Sequence, residues 1–182
     1  HLLSPDDSRS RDEPEIATNI GVQLKHMGLS TWSISILRRL RDAIGRLKPE
    51  SILEVGAGIG HRSAWIYDLF VSDDSTPKRF QMVEDGAKFS VILRRLMLRH
   101  DAESYTSIVV GNLDALVAET NAWHAASSTG LEVGNPPLES SHDAIIVDGI
   151  SENRARNVEA LLPFLSPSGV LFTVEPDMPL GN

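Results

Sequence analysis

A five-residue apolar strand that runs without a spacer into three alternate glycines is the feature that most limits how this chain folds. Residues 51–55 read SILEV, and Gly56-Ala57-Gly58-Ile59-Gly60 follows at once, ahead of a helical pattern from His61. Glycine tolerates the left-handed backbone that a tight turn needs, and the helix start beyond it offers unpaired N–H groups. A strand–turn–helix joint of this kind belongs to an open parallel sheet, at the carboxyl end where ligands bind. Alone it is a weak functional signal, shared by dinucleotide binders and by purely structural turns.

The rest of the chain repeats that unit. Apolar patterning predicts a helix over residues 61–70, a strand over 80–83, a strongly apolar helix over 88–100 and a β-branched strand over 105–110. Strands over 143–147 and 169–174 follow, with a helix over 153–165 between them. Each strand is almost wholly apolar and so is buried on both faces; strands of that kind alternating with helices make a parallel sheet. Upstream, Ile16, Ile20, Leu24 and Met27 recur at spacings of 4, 4 and 3, the signature of a helix over 14–27. Ser30 or Thr31 then serves as N-cap of a second helix, with Ile34, Leu37, Leu40, Ile44 and Leu47 as its buried stripe and Pro49 as its stop. The expected fold is α/β: a doubly wound, mainly parallel, Rossmann-like sheet with helices on both faces and an N-terminal helical extension.

A chain of 182 residues has room for one sizeable core. Residues 1–12, polar and mixed in charge, read as a flexible leader. Residues 13–182 read as one domain, with a helical extension over 13–48 and an α/β core over 51–174. The stretch 118–142 breaks the rhythm: much of it is rich in Gly, Pro and Ser, and a loop of that length in a compact domain is expected to be functional or disordered. No apolar run approaches the roughly 20 residues that cross a bilayer, so no membrane partner is expected. The absence of cysteine excludes disulfides, thiolate metal sites and a thiol nucleophile, and makes the cytoplasm the expected location. A net charge of −8 argues against a nucleic-acid partner. Two basic groups, Arg38, Arg39, Arg41, Arg46 and Lys48 in one helix and Arg94, Arg95 and Arg99 in another, read as solvated helix faces.

Two carboxylates sharpen the glycine turn. Glu54 lies two residues before Gly56, where it would repel a pyrophosphate but suit a cofactor carrying an ammonium and a sulfonium. Glu84 closes the second strand, the place from which an acid accepts hydrogen bonds from ribose hydroxyls. Two helices precede the first strand, whereas a dinucleotide fold usually begins with it.

The order of motifs over residues 51–174 resembles the class I S-adenosylmethionine-dependent methyltransferases, and in particular the catechol O-methyltransferase-like branch. ILEVGAGIG resembles the first motif of that family, VE in MVEDGAKF its ribose-binding acid, GNLDAL its adenine-contacting turn and DAIIVDG its fourth motif. LLPFLSPSGVLF resembles the helix, turn and fifth strand that follow. The resemblance implies S-adenosylmethionine as cofactor, with Glu54, Gly56, Ala57, Gly58 and Gly60 around its methionine part and Ser63 at its carboxylate. Glu84 would hold the ribose, and Asn112 and Leu113 would border the adenine. The implied reaction is O-methylation of a small molecule.

In the catechol-type branch a divalent metal, Mg²⁺, is held by the acid ending the fourth strand and by an Asp-Asn pair after the fifth. Asp148 matches the first position, as catalytic acid and metal ligand, and Glu175 the second; Pro176 offers no side-chain ligand where the pattern has Asn, so the Mg²⁺ set is incomplete. Among histidines, His61 beside the glycine turn reads as an exposed loop residue, while His124 and His142 flank the long loop as other candidate bases. The family's C-terminal antiparallel hairpin has no counterpart in this sequence, which leaves a sheet edge open and suggests a homodimer. Two further readings stay open: a catalytically inactive methyltransferase-like domain that binds the cofactor or a protein partner, and, more remotely, a nicotinamide-dependent oxidoreductase.

Overall fold

Apolar strands that need cover on both sides organise everything else in this chain, and the sheet they form is all-parallel. The computed structural model describes residues 1–148 and 151–174. Strands β1 (Ser51–Val55), β2 (Arg79–Glu84), β3 (Thr106–Val110), β4 (His142–Val147) and β5 (Leu165–Thr173) pair in the order β3-β2-β1-β4-β5. The chain reverses its direction of winding between β1 and β4, and in open α/β sheets such a switch point is where a ligand crevice lies, beyond the carboxyl ends of the strands.

Helices α1 (Glu15–His26), α2 (Ile34–Leu47), α3 (His61–Ser72) and α4 (Ala87–Arg99) supply one covering layer; α5 (Leu113–Ser127) and α6 (Ser151–Leu161) supply the other. Strand alternation sorts the core accordingly. Ile52, Phe80, Met82, Ala144 and Ile146 join the first layer, and Leu53, Val55, Val83, Ile145 and Val147 the second. No helix among the described residues is long and apolar enough to cross a membrane.

Several boundaries move from their sequence expectation, each for a local reason. Neither Ser30 nor Thr31 caps α2: Ser33 does, accepting from the Ile36 N–H at 3.4 Å, while Thr31 turns its hydroxyl to His61. Trp32 is buried just before that cap, so the helix enters later and Ile34 is left 43% exposed, outside the stripe assigned to it. The predicted helix over 153–165 ends at Leu161 and gives way to a short 3₁₀ turn, Leu162–Phe164.

Residues 1–12 contain no helix or strand, as their composition implies, but they are docked rather than loosely attached. Arg9 reaches both carboxylate oxygens of Asp73 at 2.6 and 2.9 Å, and the Asp6 N–H donates to buried Asp42. The basic residues of α2 explain the docking. Arg38, Arg41 and Arg46 donate to backbone carbonyls of Arg11, Ser10, and Leu2 and Pro5, so these cations satisfy a strand-less segment, while Arg39, Arg46 and Lys48 remain exposed as a solvated face.

The long connection after α5 is likewise neither disordered nor near the crevice. It starts at the amino end of the sheet and folds back over the second layer. Trp123 Nε1 donates to the carbonyls of Val133 and Gly134, Leu138 is fully buried, and Gln81 bonds to Pro137 and Glu139. Buried backbone polar groups need partners, and these side chains provide them.

At the same end, His142 is wholly buried between Ser51 Oγ and the Glu139 carbonyl, both at 2.8 Å. Burial holds its pKa below the usual histidine value. The unfolded chain therefore takes up this proton first, so stability is complete above about pH 6.5 and falls as pH drops below it. Urea denaturation at pH 7 and pH 5.5 is expected to show that decline, with a shallower slope in His142→Gln.

Candidate functional site

The crevice is built by backbone before side chains enter. Gly56, Gly58 and Gly60 adopt φ of 76°, 61° and 96°, a region that L side chains rarely enter. The sheet's ladder continues into the turns: Gly56 and Ala57 donate to the Val83 carbonyl and Asp148 donates to that of Val55. A Cβ on Gly56 would stand 2.5 Å from the Asp148 carbonyl oxygen, so only glycine lets the ends of β1 and β4 approach. Gly60 does the same for α3 against Leu93 and Leu96 of α4. Gly58, by contrast, faces open space.

Glu54 is not on the wall of this crevice. It is fully buried, and both oxygens are taken: Ser63 Oγ donates to Oε1 and Arg62 Nε donates to Oε2 at 3.1 Å. Ser63 is equally buried, so the two residues assigned to the cofactor's amino-acid end stand behind the surface. Arg62 stands in front of them. Its Nη1 donates to Asp148 Oδ2 at 2.6 Å, its Nη2 to the Gly56 carbonyl at 2.5 Å, and its guanidinium lies 4.8 Å from the centre of the Trp32 ring. Sequence reasoning passed over Arg62. The one available signal was that a carboxylate inside an apolar strand needs a cation nearby, and Arg62, two residues beyond the turn, was within reach.

Glu84 behaves differently. It ends β2 beside the turn, is 8% exposed, and its Oε2 is a buried acceptor with no partner among the described residues. Burial raises its pKa, partly offset by the Asp85 and Gly86 N–H groups and by Arg62. A buried carboxylate oxygen left without a donor is costly unless a ligand supplies one.

Asn112 sits at the carboxyl end of β3 as the N-cap of α5, and its Oδ1 accepts from the Ala115 N–H at 3.3 Å. Leu113 is buried in the second layer. His61 is not an exposed loop residue. It opens α3, buried, with Nδ1 at 2.7 Å from Thr31 Oγ1 and Nε2 at 3.1 Å from Glu13. Burial lowers its pKa, against the pull of Glu13. His142 and the α5 residue His124 lie toward the amino end of the sheet, away from the crevice. Asp148 is one-quarter exposed, and its Oδ2 is engaged by Arg62. Glu175, the other expected metal ligand, lies outside the described residues. Among the described residues no three acidic or histidine side chains converge as a metal set.

No protein-family model and no curated protein matches this sequence. Solved structures do. TomG, the O-methyltransferase from Streptomyces achromogenes involved in tomaymycin synthesis and solved with S-adenosylmethionine, superposes with a TM-score of 0.66 at 15% identity, over 88% of this chain and 65% of its own. This chain shares the fold of that O-methyltransferase. The O-methyltransferase from Bacillus cereus, in complex with S-adenosylhomocysteine, gives a TM-score of 0.60 at 18% identity over 93% of this chain and 66% of its own. The Podospora anserina methyltransferase PaMTH1, also bound to S-adenosylhomocysteine, gives 0.58 at 16% identity over 87% and 61%. This chain therefore spans just under two thirds of the length of these structures.

Gly56→Ala tests the backbone of the site. The added methyl meets a backbone oxygen and sits at positive φ. Strain and overpacking together are expected to cost about 2–4 kcal/mol in chemical denaturation.

Proposed function

We propose that this chain is the cofactor-binding part of an S-adenosylmethionine-dependent methyltransferase that methylates a small molecule, at oxygen. The observation that carries the reading is Glu84: a buried carboxylate with an unpartnered oxygen, beside a positive-φ glycine turn, at the carboxyl end of the second strand. The fold shared with O-methyltransferases solved with S-adenosylmethionine or S-adenosylhomocysteine supports it.

The chain's own residues account for binding in this reading. Glu84 accepts from the paired ribose hydroxyls, which satisfies its orphaned oxygen. The open side of Gly58 admits the cofactor's amino-acid end, while Glu54 and Ser63 act from behind by holding Arg62 and the start of α3. Asn112 and Leu113 border the adenine from the end of β3. When bound, the cofactor supplies a methyl group already activated by positive sulfur, so the protein's task is to orient a hydroxyl and accept its proton. Asp148 is the residue for that role, because it is partly exposed at the switch point and only Oδ2 is engaged among the described residues. The lack of cysteine suits a reducing compartment such as the cytoplasm. Strand β5, an edge of the sheet among the described residues, carries the partly buried apolar side chains Val170, Leu171 and Phe172; these support self-association there, which a clean monomer in gel filtration would rule out.

Calorimetric titration with S-adenosylmethionine, and separately with NAD, tests the cofactor assignment. Binding of the first alone is expected. Glu84→Ala should weaken it by about ten- to a hundredfold, the worth of a charged acceptor for two hydroxyls, roughly 1.5–3 kcal/mol. Unchanged affinity in that variant, or preference for NAD, would refute the assignment.

A further inference from the structure

Three oxygens from three parts of the chain converge on one guanidinium at the switch point. Glu54 Oε2 from β1 faces Nε at 3.1 Å, Asp148 Oδ2 from the end of β4 faces Nη1 at 2.6 Å, and the Gly56 carbonyl faces Nη2 at 2.5 Å. Two carboxylates and a backbone carbonyl are the donor set that a hard divalent cation takes. Here the set is already filled by a cation that the chain carries itself.

We propose that the Arg62 guanidinium is a built-in cation that stands in place of a divalent metal between the carboxyl ends of β1 and β4. It concerns the same crevice as the proposed methyltransferase site and rests on that reading for its role in catalysis, though not for its geometry.

Several features make the occupant permanent. Arg62 is 4% exposed and Glu54 is fully buried, so the pair lies in a medium where removing one partner is far costlier than at a surface. All three guanidinium nitrogens are used, and the Trp32 ring covers the group at 4.8 Å, adding a cation–π contact. The planar fork suits this arrangement where a lysine would not, since one ammonium cannot reach three oxygens in the same plane. A metal ion entering here would have to displace a tethered cation. Arg62 is thus a positioning residue: it sets the orientation of Asp148 and holds the first carbonyl of the glycine turn, and it supplies fixed positive charge beside Glu84. A guanidinium donates hydrogen bonds and offers no open coordination position, so at this point between β1 and β4 an acceptor is oriented by fixed charge.

The test reads ion binding and thermal unfolding, neither of which needs a methyl acceptor or the cofactor. Electron paramagnetic resonance of Mn²⁺ titrated into the wild-type chain is expected to show no bound ion at millimolar concentration, and Mn²⁺ should leave its melting temperature unchanged. Arg62→Ala is expected to melt lower and to regain stability with saturating Mn²⁺, by about 5 °C or more. That response should vanish in the double variant Arg62→Ala, Asp148→Asn. Mn²⁺ binding by the wild type that is lost in Asp148→Asn would overturn the proposal, as would a folded Arg62→Ala indifferent to Mn²⁺. Should Arg62→Ala fail to fold, the wild-type titration with its Asp148→Asn control still decides. Failure of S-adenosylmethionine to bind the wild type would count against the methyltransferase reading and leave these ion measurements unaffected.

Discussion

The buried pair of Glu54 and Arg62 is the contact on which the crevice depends. A carboxylate in the middle of an apolar, fully buried strand is unstable unless paired, and breaking such a pair costs about 3–5 kcal/mol. The chain solves this by placing the counter-ion in the first turn of the next helix, so that β1, the glycine turn and α3 are locked as one piece. The same guanidinium reaches Asp148, which ties β4 to β1 at the switch point. One side chain thereby sets both walls of the crevice and the path of the backbone between them.

The N-terminal helices serve that joint from outside. Glu13 Oε2 accepts from both His61 and Trp65, and Thr31 engages the other nitrogen of His61, so α3 is fastened at its start to the segments flanking α1. Trp32 covers Arg62 from the connection between α1 and α2. The extension is thus part of the wall of the site as well as cover for the sheet. The leader in turn covers α2, whose arginines bind its carbonyls.

Most of the fold was legible in the sequence, because hydrophobic periodicity reports burial directly. Each strand was found within one or two residues at its better-defined end, and the parallel sheet followed from their near-continuous apolar runs, although only the central β1, β2 and β4 are buried on both faces. The glycine turn was legible because positive φ leaves glycine as the favoured choice, and Glu84 because position at a strand end is a one-dimensional property. Contacts between distant segments were not. Glu54 carries no free charge to set against a pyrophosphate, because Arg62 neutralises it; the N-terminal helices remain as the feature that departs from a dinucleotide fold. The long loop was expected to be functional or disordered because Gly, Pro and Ser lack cohesion of their own, yet Trp123 and Gln81 anchor it from elsewhere and its own Leu138 is buried in the core.

The sequence by itself determined the elements, their order, the glycine turn at the carboxyl end of the first strand and the acid that ends the second. These are set by local backbone preference and by the spacing of apolar residues, which act over a few positions. Only the tertiary structure decided which charges stay free. Glu54 and Ser63 are withdrawn behind Arg62, His61 and His142 are enclosed so that burial disfavours their charged forms, and Asp148 is shared with a guanidinium 86 residues away. Whether a charge is free depends on burial and on neighbours brought together by the fold, and no pattern along the chain records that distance.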